Sequence, residues 1–163
     1  MKFDCEVLNS SFWGEMNYEI VMEPTECTVV INKDKNTVDI HPIDKDRYAP
    51  RTISYSDYMH ILVMKFIDKF KEYDRHGEVT DTFTSGCCYW FAKILCDRFF
   101  DAKLMYDRIE NHFCAKIIDN LYDITGDVTG KYDVIDWSQF DDDLESDRIV
   151  KQCILFSDGE EFA

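Results

Sequence analysis

The chain has 163 residues, 45% hydrophobic and 15% aromatic, which is enough for one well-filled core near the usual size of a single domain. Its 33 acidic residues against 18 basic ones leave a formal charge of −15, which repels phosphate backbones and anionic bilayers and argues against direct nucleic-acid or membrane binding. No apolar run approaches the roughly 18 residues that span a bilayer. The opening Met1-Lys2-Phe3-Asp4-Cys5-Glu6 has acids where a secretory signal is apolar, so a cytoplasmic protein is expected.

The acid is concentrated at the ends. Residues 1–50 carry −5, residues 51–132 only −2 and residues 133–163 carry −8. Prolines and glycines are few and long linkers are absent, so the reading is one domain over 1–163. It divides into a β-rich N-terminal extension (1–50), a core (51–132) and an acidic C-terminal segment (133–163). Seven cysteines, an odd number mostly in apolar surroundings, read as reduced, largely buried thiols.

In chain order, Cys27 to Asn32 and Thr37 to His41 are β-branched runs around Lys33-Asp34-Lys35-Asn36, which predicts a hairpin. Ser56 is positioned to cap a helix with apolar residues Met59, Val63, Phe66, Ile67, Phe70 and Tyr73 at three- and four-residue spacing, with Gly77 past its end. A second helix begins near Cys88, where Cys88, Phe91, Ala92, Leu95 and Phe99 form one stripe after Thr82-Phe83-Thr84-Ser85-Gly86. Strands follow at Lys103 to Ile109, His112 to Ile118, Leu121 to Ile124, Tyr132 to Ile135 and Arg148 to Phe156, with a short acidic helix around Trp137 to Leu144. Helices followed by an antiparallel sheet make the class α+β.

The chemistry suggested by this order starts at Cys88. A helix N-terminus offers unpaired N–H groups and positive dipole potential, both of which favour a thiolate. His112, at the head of a strand, is the candidate base, and a carboxylate is needed to orient it. A two-residue Asp119-Asn120 turn would set His112 opposite Asp127, with Asp123 on the same face nearer the turn. A bulge or longer loop would bring Asp123 opposite instead.

Gly86-Cys87-Cys88-Tyr89-Trp90-Phe91-Ala92, and His112-Phe113 with Tyr122-Asp123-Ile124-Thr125-Gly126, resemble the nucleophile helix and strand pair of the papain-like superfamily. The likeness is to its transglutaminase-like and NlpC-like branches, in small bacterial and phage members, over roughly residues 80 to 130. The resemblance implies a papain-like or transglutaminase-like core with Cys88 as nucleophile, His112 as base and Asp123 as orienting acid. The motif context ranks Asp123 first, and Asp127 is the rival that the register favours. The family's upstream glutamine has no counterpart, because Gln139 and Gln152 lie far downstream.

His41, His60 and His76 have no metal spacing with any cysteine, and no nucleotide-binding motif is present, so neither metal nor cofactor is expected. Two functions follow from these readings. One is thiol-dependent acyl transfer, or amide or peptide hydrolysis, on a protein or peptide substrate. The other is a small acidic inhibitor of a host defence system, similar to anti-CRISPR proteins, which uses the fold as a scaffold against a basic surface such as a nucleic-acid-binding effector.

Overall fold

The computed structural model describes residues 2–4, 27–43, 49–72, 74 and 76–154. Cys5, Tyr73 and the expected strand's last residues, 155–156, lie outside them. The described residues form an α+β protein with two antiparallel sheets and four α-helices. The chain divides into two compact units, Met1–Lys65 and Phe66–Ala163.

In the first unit, strands β1 (Lys2–Asp4), β2 (Cys27–Asn32), β3 (Thr37–Pro42) and β4 (Arg51–Ser54) line up in the order β1-β2-β3-β4. The predicted hairpin is present, running from Cys27↔Pro42 to Asn32↔Thr37. Its four-residue turn closes on Asn36, whose φ of 51° is the left-handed conformation that asparagine tolerates better than most residues. Alternation buries Cys27 and Val29 on β2 with Val38 and Ile40 on β3. Cys27 is disulfide-bonded, which corrects the expectation of reduced thiols throughout. Pairing depends on how near tertiary structure brings two Cβ atoms, and flanking apolar residues carry no signal for that.

Helix α1 (Tyr55–Lys71) matches the predicted periodicity but is capped two residues earlier than expected, at Ser54. The Ser54 hydroxyl accepts the Asp57 N–H at 3.0 Å and donates to the Asp57 carboxylate at 2.7 Å. This reciprocal pair satisfies N-terminal donors and fixes the start at Tyr55 rather than after Ser56. Gly77 lies past the end of α1 and also precedes a further helix, α2 (Glu78–Thr84), which takes in the first residues of the polar stretch Thr82 to Gly86.

In the second unit, Phe70 meets Phe83 of α2 and Phe91 of α3 (Cys88–Arg98) at ring-centroid distances of 5.7 and 5.2 Å, while Phe66 meets Phe99 at 5.8 Å. These edge contacts pack half-buried rings around the buried Phe91 of α3 and hold the helix's axis. The sheet orders β8 (Gly126–Asp127), β7 (Asn120–Asp123), β6 (His112–Ile117), β5 (Lys103–Asp107) and β9 (Val134–Asp136). Central β6 is buried along almost its whole length. Phe113 and Tyr106 join the cluster containing Cys88 and Ala92 of α3, while Cys114 and Met105 join Leu121 and Val128 in a second cluster.

The expected strand from Arg148 to Phe156 is helical where it is described. A 3₁₀ turn (Trp137–Gln139) precedes helix α4 (Asp143–Ile149), which runs into a π-helical turn (Val150–Ile154). The Asp142 carboxylate caps α4 by accepting the Glu145 N–H at 3.1 Å, and Ile149 and Cys153, four apart, are buried. The β-branched run misled because capping and helical burial outweigh intrinsic strand propensity here.

Candidate functional site

Three side chains at the head of α3, the start of β6 and the end of β7 come together in the second unit. Each reaches its place for a local reason. Gly86 adopts φ 121°, a conformation that side chains other than hydrogen rarely take, and this lets the chain turn out of α2 into α3. Cys87 is then the N-cap and Cys88 the first helical residue. His112 heads β6 after a four-residue turn from Asp107, its partner in β5. The buried Asp107 carboxylate holds that turn by accepting N–H bonds from Ile109 (2.7 Å), Glu110 (3.0 Å) and Asp133 (2.9 Å).

His112 Nε2 lies 3.0 Å from Asp123 Oδ2. The other Asp123 oxygen accepts the Thr125 N–H at 2.7 Å and the Thr125 hydroxyl at 2.6 Å. The ring of Tyr132 lies over the imidazole, centroids 4.7 Å apart at 30°, and its hydroxyl is 3.4 Å from Asp123 Oδ2. Cys88 lies against His112, Phe113 and Tyr89, whose ring and backbone N–H groups favour its thiolate. With Nε2 engaged by the carboxylate, Nδ1 is the ring nitrogen left for the thiol. Cys88 is 5% exposed, His112 7% and Asp123 3%, so the interactions operate largely away from water.

The electrostatics follow from this arrangement. Burial opposes a thiolate at Cys88, but the bond from His112, the Phe113 and Tyr89 N–H groups and the imidazole's charge outweigh it, and the thiol titrates below its ordinary range. Burial likewise opposes an imidazolium, yet the bonds to Asp123 and Cys88 raise His112 to about 9. Asp123 is lowered, burial being outweighed by the bonds from His112 and Thr125. Cys96 and Cys114 go the other way, to about 11 and about 12, because burial dominates, the Lys93 charge offsetting it only in part at Cys96 and neighbouring anions adding to it at Cys114. Among Cys88, Cys96 and Cys114, the shift toward thiolate therefore falls on the one at the head of α3.

Asp127 does not join the group. The chain reverses at Ile124-Thr125, at the end of the strand expected over Leu121 to Ile124, so Asp123 pairs with Gly126 and Asp127 with Tyr122. Asp127 thus projects to the opposite face and is exposed, accepting from Asn120 Nδ2 at 2.8 Å and the Thr129 N–H at 2.9 Å. The β6–β7 turn also lies one residue earlier than expected, over Ile118-Asp119, with Ile118 at φ 56°. Thr125 was visible in the Tyr-Asp-x-Thr-Gly pattern. No sequence signal singled out Tyr132, because its role depends on a loop returning over β6. Among the described residues, no group of three or more His, Cys, Asp or Glu side chains is arranged to hold a metal ion. No described helix is long and apolar enough to cross a membrane.

A family profile described as Phage YunG-like protein matches residues 62–152, more than half the chain. The chain belongs to the Phage YunG-like family. The matched span contains Cys88, His112, Asp123 and Tyr132, so the whole cluster lies inside the region that this phage-related family shares. No curated protein and no solved structure matches the chain.

Proposed function

We propose that this YunG-like protein performs thiol-dependent acyl transfer or hydrolysis at an amide or peptide bond of a protein or peptide substrate, with a papain-like or transglutaminase-like division of labour. The observation that carries the reading is the position of His112, held between the Cys88 thiol and the Asp123 carboxylate. Cys88 attacks the substrate carbonyl carbon as a thiolate, forming a C–S bond and an oxyanion beside the Cys88 N–H at the head of α3. The His112 imidazolium gives its proton to the leaving amine as the C–N bond breaks. Water or an amine then loses a proton to His112 and attacks the thioester, releasing the acid or new amide and restoring the thiolate. Asp123 keeps the imidazole oriented through both steps and offsets its positive charge.

The test uses iodoacetamide at pH 6, where an ordinary thiol is almost wholly protonated. Site-resolved mass spectrometry of the folded chain should find Cys88 labelled well ahead of Cys96 and Cys114, and His112→Ala should remove that preference. Labelling of Cys88 that is indifferent to His112→Ala in a folded protein overturns the reading. Loss of biological effect on charge reversal in residues 133–163, with Cys88→Ala silent, would instead mark an acidic binding scaffold.

A further inference from the structure

We propose that Tyr132 is a positioning residue for the His112–Asp123 pair, its ring seated on the imidazole and its hydroxyl beside the carboxylate oxygen that takes the Nε2–H. This rests on the acyl-transfer reading and adds a fourth side chain to it. The geometry separates two contributions. The ring, tilted 30° at 4.7 Å, limits rotation of the imidazole about its own plane and excludes water from that face. The hydroxyl, 3.4 Å from Asp123 Oδ2, completes the set of donors around the carboxylate, whose other oxygen is held by Thr125.

The charged and titratable groups facing His112 are Cys88 from α3, Asp123 from β7, Asp107 from β5 and Tyr132 itself. Lys131 lies against Tyr132, its ammonium 4.7 Å from the ring centroid. Burial lowers the basicity of His112 and its anionic partners raise it, with the partners dominant. Removing the ring frees the imidazole to swing away from Asp123 Oδ2, and a weakened Nε2–H bond to the carboxylate lowers its basicity. A residue that merely fills space in the Met105–Cys114 cluster, against which Tyr132 also packs, would not move this titration.

The experiment follows the His112 ring by NMR from pH 5 to 10 in the wild type, Tyr132→Phe and Tyr132→Leu, with iodoacetamide labelling of Cys88 at pH 6 in parallel. Tyr132→Leu should lower the His112 midpoint by about one unit and slow Cys88 labelling, because an imidazole that leaves its place holds the thiolate less well. Tyr132→Phe keeps the ring and should fall between the two. A folded Tyr132→Leu protein with wild-type midpoint and labelling overturns the positioning role while leaving the response to His112→Ala intact. Insensitivity of labelling to His112→Ala removes the underlying reading and this proposal with it.

Discussion

His112 and Asp123 meet at 3.0 Å without being cross-strand partners. The β6–β7 pairs run from Ile117↔Asn120 to Ala115↔Tyr122, and continuing that register sets Asp123 opposite Cys114, one same-face position from His112. The contact is therefore a diagonal one, which a histidine ring is long enough to make. Asp123 reaches it because the strand ends there and Thr125 turns the chain back.

This relationship distinguishes the two aspartates experimentally. Asp123→Asn keeps the shape but removes the charge that holds the imidazolium, and should slow iodoacetamide labelling of Cys88 at pH 6 by at least about tenfold. Asp127→Asn, on the other face, should leave the rate unchanged. Equal effects of the two substitutions would contradict the observed strand reversal.

The pH dependence of stability contains two opposing slopes. His112, raised to about 9, contributes stability that is complete below about 6.5 and is lost as pH rises through about 9. Cys88, lowered, contributes stability present above its ordinary value of about 8.5 and lost as pH falls through its depressed one. Between these values the two slopes offset each other. Cys88→Ala removes the rising slope, so relative to wild type its urea midpoint should decline from pH 6.5 to 9. Each unit by which His112 stays raised corresponds to about 1.4 kcal/mol. Parallel curves for the two proteins would show that thiol and imidazole are not coupled.

The capping pair at α1 makes a prediction about the first unit. Ser54→Ala deletes both hydrogen bonds to Asp57 and should destabilise the protein by about 1 kcal/mol in urea titrations, whereas Ser56→Ala, inside the helix, should be nearly neutral. The reverse order would return the cap to Ser56.

Much of this architecture was legible in the residues alone. The hairpin around residues 33–36, the helical stripe from Met59 to Phe70 and the head of α3 at Cys88 all depend on local signals, namely alternation, three- and four-residue spacing and turn chemistry. The α+β class and the candidates Cys88, His112 and Asp123 came from the same level, through motif order. Tertiary structure decided what depends on relations between segments. It resolved Asp123 over Asp127, because a reversal held by one threonine changed which face each acid occupies. It made residues 148–154 helical, because Ile149 and Cys153 could be buried together beside Cys88 and Phe113. It brought Tyr132 onto His112 from twenty positions away. Local preference selects among conformations that differ by about 1 kcal/mol, while register, burial and charge pairing depend on neighbours that exist only once the chain has folded.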